Sequence, residues 1–282
     1  PALCKNALPK PHPQLITKSD KDFLNKILNW PKSEWITKQE YKEQIRKEDD
    51  EEEGDQGDED KKLLTKKLEL ISRGLNNFSH GDSWLSVKHY FQEEQEDYTY
   101  NNIHLGDLEY TFNVYREYKK HYGLMDFTDM LLLSLDSNII LPSYNIIFVD
   151  ECQDINPLMW AVLQKMFKQR GDKQIYLAGD DDQSIYGFNC ANPEIFLNME
   201  CHGEEVLDKS YRLPKTILDF SQKIIKEIAP RFRKEKVFGP KTEKINGKDI
   251  IVPGEIKDVY ELWETGRDFS KEDWIMCART SN

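Results

Sequence analysis

The 282-residue sequence encodes an α/β protein with a parallel-sheet core, preceded by an all-helical subdomain. Three observations carry that reading. The apolar run Ile146-Ile147-Phe148-Val149 delivers Asp150-Glu151-Cys152-Gln153-Asp154, and Ile175-Tyr176-Leu177-Ala178, about thirty residues on, delivers Gly179-Asp180-Asp181-Asp182-Gln183. Between them lies a helical pattern. Short apolar runs bounded by polar and turn residues read as buried strands of a parallel sheet, and strand, crossover helix and strand in this span make a βαβ unit with parallel strands. Both polar motifs then leave the carboxyl edge of one sheet, where open α/β sheets bind ligands.

Residues 1–13, with Pro1, Pro9, Pro11 and Pro13, read as an extended segment. Residues 14–123 read as the helical subdomain. Ser19 followed by Asp22 resembles a capping box, and Phe23, Leu24, Ile27 and Leu28 supply an apolar face. An acidic, disordered insert is expected over about 47–61. Leu64, Leu68, Ile71 and Leu75 then recur at helical spacing, and Leu108, Phe112, Tyr115 and Tyr118 mark a longer helix ending near Gly123.

Residues 124–230 read as the first, partial α/β domain. Asp126 suits the cap of a helix with Phe127, Met130, Leu131 and Leu133 to Leu135 as its apolar content. Asn156 and Pro157 open the crossover helix, whose apolar positions are Met159, Val162, Leu163, Met166 and Phe167 and which ends by Gly171. Leu213 to Ala229 forms an amphipathic helix through Ile217, Phe220, Ile224 and Ile228, stopped by Pro230. Residues 231–282 read as a linker and the beginning of a second domain. Residues 231–253 are basic and turn-rich, Val259 to Trp263 is helix-like, and Trp274 to Ala278 looks like a strand.

Composition narrows the function. The formal charge is −12, but ten of the 51 acidic residues lie between Glu48 and Asp60 with no basic residue among them. The remainder carries 41 acidic against 39 basic residues, a balance of −2, so a nucleic-acid site must be local. Five cysteines without CxxC spacing fit a reducing compartment rather than a disulfide framework or a zinc site. No apolar stretch approaches eighteen residues. The expectation is an intracellular, soluble protein of cytoplasm or nucleoid with no membrane partner.

Adjacent carboxylates at a strand end suit a divalent cation and a water that must lose a proton. One oxygen donor can hold Mg²⁺ while the other acts as general base. Phosphoryl-transfer sites use this arrangement.

With these motifs in this order, the chain resembles the UvrD-like superfamily 1 DNA helicases. The resemblance rests on FVDECQD at 148–154, GDDDQSIYGF at 179–188 and LDKSYRLPKTIL at 207–218. GLMDFTDMLL at 123–132 and the terminal CARTSN match less specifically. It implies a RecA-like P-loop NTPase core, present in part, and an ATP-dependent DNA helicase or translocase that uses ATP and Mg²⁺ and acts on single-stranded and duplex DNA. Carried over residue by residue, Asp150 resembles the Mg²⁺-coordinating acid, Glu151 the base that activates water, and Gln183 the γ-phosphate sensor. Tyr186 and Phe188 resemble aromatics that stack on single-stranded DNA, Phe188 standing where many relatives have tryptophan. Arg212 resembles a phosphate-contacting arginine and Tyr211 a residue packing on the nucleotide base. Gln153, Asp154, Asp180 and Asp182 read as supporting residues that orient these.

The departure that matters is an absence. The family's phosphate loop, GxxxxGK[ST], does not occur in these 282 residues, and the one Gly-Lys pair, Gly247-Lys248, reads as a turn. The expectation is an internal piece of a longer helicase, inactive as an ATPase by itself, with the late motifs beyond Asn282. Two other readings stand beside it. One is a non-catalytic DNA- or partner-binding module, recruiting a protein through the helical subdomain. The other is a metal-dependent phosphohydrolase, which leaves Gln183, Ser184 and Tyr186 without a role.

Overall fold

Thr17 sets the first helix. Its Oγ1 accepts from the Asp20 amide and its own amide donates to Asp20 Oδ2 at 2.7 Å, a reciprocal capping box for α1 (Lys18–Ile27). The box lies two residues before the Ser19/Asp22 pair that the sequence suggests, because the Phe23, Leu24 and Ile27 stripe sets where the first turn begins. The structure is a computed structural model and describes residues 14–28, 31–40, 55–93, 102–169, 171–227 and 238–254. The extended segment expected over 1–13, the helix-like stretch at 259–263, the strand at 274–278 and CARTSN lie outside the described residues.

The chain divides into two compact units, one up to Met199 and one from Glu200 onward. In the first, β1 (Gln14–Leu15) pairs in parallel with β2 (Leu124–Met125). Helix α2 (Asp55–Asn77) buries Leu64, Leu68, Ile71 and Leu75, the stripe read from the sequence. It starts inside the expected acidic insert, so residues 55–61 are helical and 47–54 fall outside the described residues. An acid-rich segment suits a helix N-terminus, where the macrodipole is positive. Helix α3 (Trp84–Glu93) crosses α2 at Gly74, where a Cβ would meet the Val87 Cα at 2.5 Å. Only glycine permits that approach. Helix α4 (Leu105–Tyr122) buries Leu108, Phe112, Tyr115 and Tyr118, and Gly123 closes it at φ 61°.

Helix α5 (Phe127–Leu135) is capped reciprocally by Asp126 and Asp129. Tyr115 donates its hydroxyl to Asp126 Oδ2 at 2.9 Å, and the buried Lys119 lies 3.0 Å from Asp126 and 2.7 Å from Asp129. One cation between two carboxylates leaves a surplus negative charge. Burial, offset in part by the Lys119 charge, raises the Asp129 carboxyl, with repulsion from Asp126 adding to it. Burial also acts on Asp126, but Lys119, the Asp129 amide and Tyr115 outweigh it and hold that carboxyl below the ordinary aspartate value.

β3 (Ile146–Val149) and β4 (Gln174–Leu177) pair in parallel, Ile147 opposite Ile175 and Phe148 opposite Tyr176, with α6 (Pro157–Phe167) as the crossover. Asn156 caps α6 by accepting from the Met159 amide at 2.9 Å, and Pro157 takes its first position. Lys165 donates to the carbonyls of Ser134, Asp136 and Ile139, joining α6 to the end of α5 and the loop after it.

Two expectations change here. The strands are not buried on both faces: Ile147 is buried, but Phe148 is 74% and Tyr176 51% exposed, their rings stacked at 4.9 Å. Helix α6 buries Leu158 and Trp160, while Met159, Val162, Leu163, Met166 and Phe167 are only partly covered. Among the described residues the sheet has two strands, and the face that carries Ile146, Phe148 and Tyr176 is exposed. A short helix, α7 (Pro193–Leu197), closes the unit.

In the second unit, α8 (Lys215–Glu227) buries Leu218 and partly covers Ile217, while Phe220 and Ile224 of the expected stripe are about half exposed; Ile228 and the stop at Pro230 lie outside the described residues. Residues expected to be linker contain a hairpin of β5 (Thr242–Ile245) and β6 (Lys248–Ile251). Its two-residue turn is Asn246-Gly247, both at positive φ, as a type I′ turn requires.

Candidate active site

Both acidic motifs leave the carboxyl ends of β3 and β4 side by side. The ladder runs past the strands: the Ala178 amide donates to the Val149 carbonyl at 2.8 Å and the Cys152 amide to the Ala178 carbonyl at 2.9 Å. Asp150 and Glu151 are exposed at this edge. Glu151 adopts left-handed φ 54°, ψ 43°, unusual for a residue with a Cβ, and its amide donates to Asp150 Oδ1 at 2.9 Å. The backbone turns here between the strand and a 3-10 turn over Cys152–Asp154.

Gln153, 1% exposed, joins the two motifs. Its Nε2 donates to Glu151 Oε2 at 2.8 Å and Asp154 Oδ2 at 3.3 Å, while its Oε1 accepts the Asp180 amide at 3.0 Å. The Ser184 hydroxyl donates to the Gln153 carbonyl at 3.3 Å. Asp180 accepts from the amide of Asp182 and, at 2.7 Å, from Gln183 Nε2. Asp150, Glu151, Gln153, Asp154, Asp180, Asp182 and Gln183 therefore form one hydrogen-bonded cluster.

Three contributors are not singled out by the sequence. Gly179 is required because a Cβ would meet Gln153 Oε1 at 2.8 Å and the Cys152 amide nitrogen at 3.1 Å; its signal is a glycine at the end of an apolar run. Ser184 holds the Gln153 backbone, and Asp181 is the most buried of its three consecutive aspartates at 9%. Cys152 is fully buried, its thiol donating to the Val149 carbonyl at 3.3 Å. Burial pushes that thiol up to about 11, and the nearby charges of Asp150 and Glu151 add to the shift against the Ala178 backbone contact. It packs rather than reacts.

Tyr186 and Phe188 follow on the next loop, 44% and 60% exposed, with rings 5.5 Å apart. Tyr211 and Arg212 belong to the second unit. Tyr211 is 78% exposed with the Lys209 ammonium 5.4 Å from its ring centre, and the Arg212 amide donates to Ser210 Oγ at 3.4 Å.

Among the described residues no three His, Cys, Asp or Glu side chains converge on a point that could hold a metal, and no helix is long and apolar enough to cross a membrane.

Fold and site define the class as a mixed helix/sheet protein whose acidic cluster sits where parallel strands end. More narrowly, the chain belongs to the UvrD-like DNA helicases, matching the UvrD/REP helicase N-terminal domain over residues 11–203. It is 40% identical over 93 residues to an ATP-dependent helicase/nuclease subunit from Natranaerobius thermophilus, covering 30% of this chain and 7% of that protein. It is 33% identical over 136 residues to DNA helicase II of Escherichia coli, covering 44% and 19%. The corresponding helicase/nuclease subunit from Clostridium acetobutylicum is 31% identical over 151 residues, covering 44% and 12%. The chain thus spans less than a fifth of the length of these relatives.

Proposed function

We propose that the chain supplies the hydrolytic acidic half of an ATP-driven DNA translocase with a RecA-like core, which moves on single-stranded DNA and unwinds duplex. The supporting observation is the Gln153 bridge, because one buried amide holds Glu151 and the Asp180–Gln183 turn together and so joins a candidate base to a candidate phosphate sensor.

Glu151, exposed at the strand end, takes the proton of the attacking water, and Gln153 Nε2 fixes the orientation of its carboxylate. Gln183 follows loss of the terminal phosphate through its bond to Asp180. Asp150 would hold Mg²⁺. Its donor chemistry fits: Mg²⁺ is usually held by one or two carboxylates with substrate phosphates and water, and Asp150 is an exposed carboxylate at the strand end. When bound, Mg²⁺ would neutralise charge on the phosphates. Arg212 contacts phosphate through its planar fork, Tyr211 packs on the base, and Tyr186 and Phe188 stack on DNA bases.

No phosphate loop occurs in these residues, so the expected ATP turnover of the 282-residue chain is background. A phosphate-release assay with and without single-stranded DNA checks this. Robust DNA-stimulated hydrolysis abolished by Glu151→Gln would contradict it. Anisotropy of a labelled oligothymidylate tests the DNA arm: replacing Tyr186 and Phe188 together with alanine should weaken binding at least about fivefold, given roughly 1–3 kcal/mol per stacked base.

A further inference from the structure

Asn76, near the end of α2, is far in sequence from both motifs and only 7% exposed, yet it touches the aromatic loop. Its Nδ2 donates to Asn189 Oδ1 at 3.2 Å, and its Oδ1 accepts the Thr128 hydroxyl at 3.3 Å. Ser72 Oγ lies 3.2 Å from Thr128 Oγ1. Threonine has one hydroxyl proton. With that proton given to Asn76, Ser72 must donate to Thr128, so the side chains form a one-way chain Ser72 to Thr128 to Asn76 to Asn189. Such chains are directional and fix orientation as well as proximity.

A second tether lies one residue on. Cys190 Sγ donates to the Arg73 carbonyl at 3.3 Å, and Cys190 takes left-handed φ 60°. The amides of Asn189 and Ala191 fold back onto the Tyr186 carbonyl at 2.8 and 3.2 Å, and that of Cys190 onto Gly187 at 2.9 Å. The rings of Tyr186 and Phe188 project from this turn and are exposed, so their own burial does little to hold it. The last turns of α2 hold its closing residues.

We propose that Asn76 is a positioning residue: by holding Asn189 it presents Tyr186 and Phe188 to the bases of single-stranded DNA and couples the helical subdomain to that stacking surface. This rests on the DNA-stacking reading above. The Thr128 hydroxyl, one residue past the first of the capped α5 turn, makes the link three-way, so α2, α5 and the aromatic loop move as one piece.

The test has two arms on the 282-residue chain. Without DNA, amide hydrogen exchange of Asn76→Ala should quicken about 2- to 10-fold at Asn189, Cys190 and Ala191, the worth of one neutral hydrogen bond, while α2 keeps its protection. Unchanged exchange at these three amides overturns the tether. With a fluorescein-labelled oligothymidylate, Asn76→Ala should weaken affinity by a similar factor. Combined with Tyr186→Ala and Phe188→Ala, it should add nothing further. Additive losses overturn the coupling. If exchange quickens but the two aromatic substitutions leave affinity untouched, the DNA reading of the loop fails, and the positioning proposal with it. Should Asn76→Ala fail to fold, Asn189→Ala removes the same hydrogen bond from the loop side and is read identically.

Discussion

Replacing Gln153 with leucine tests whether one amide joins the two motifs. The side chain is buried and leucine is close to it in volume, so the change removes polar contacts with little cavity. Lost are the bonds to the Glu151 carboxylate at 2.8 Å and, at a longer 3.3 Å, to the Asp154 carboxylate, and the bond from the Asp180 amide at 3.0 Å. A hydrogen bond to a charged group contributes about 1.5–3 kcal/mol and a neutral one about 0.5–1.5 kcal/mol, so the expected cost is about 2–4 kcal/mol. Urea unfolding followed by circular dichroism should move its midpoint down by about 1–2 M for a denaturant slope of about 2 kcal/mol/M. Gln153→Glu sharpens the test. It keeps the size and an acceptor but sets a new carboxyl between Glu151 and Asp154, whose charges raise its folded pKa above the unfolded value. Such a group stabilises below the unfolded pKa and loses that contribution as pH rises through the folded one. Stability of Gln153→Glu relative to wild type should therefore fall between acidic and neutral pH. A leucine variant within about 0.5 kcal/mol of wild type, or a glutamate variant with no relative pH dependence, would refute the bridging role.

Lys119→Met should cost about 3–5 kcal/mol in thermal unfolding, because two partly buried carboxylates lose their cation, and adding Asp129→Asn should recover part of that loss. Asp129, raised in the folded state, contributes stability below its unfolded pKa that is lost as pH rises through the folded value. Asp126, depressed, contributes above its unfolded pKa and loses this as pH falls through the folded value. Asp129→Asn alone should therefore gain stability over wild type as pH climbs out of the acid range, measured by urea midpoints at stepped pH. Cys152, buried with its thiol held at about 11, should resist iodoacetamide at pH 8 under native conditions while the exposed Cys201 is modified, as peptide mass mapping would show.

Most helix ends are readable because their causes lie within a few residues. Asn156 and Pro157 start α6, Gly123 ends α4 and Asp126 caps α5 as the sequence suggests. The first cap sits two residues from its expected place because Thr17/Asp20 and Ser19/Asp22 carry the same spacing, and only packing of Phe23, Leu24 and Ile27 chooses between them. The hairpin at 242–251 escapes the sequence reading although Asn246-Gly247 signals it, since the charged residues around it resemble a linker.

The amino-acid sequence alone determined the family, the βαβ unit and the edge from which Asp150, Glu151 and Gln183 emerge. The family is carried by the motifs at 148–154, 179–188 and 207–218, while short apolar runs and chain direction set the βαβ unit and its edge locally. Tertiary structure alone decided which face of β3 and β4 is covered, that Gln153 turns inward to bind both motifs, and that Asn76 reaches Asn189 across 113 positions. Those outcomes depend on which side chains meet after helices pack, and a buried polar group takes the partner that packing brings within reach, whatever its distance along the chain.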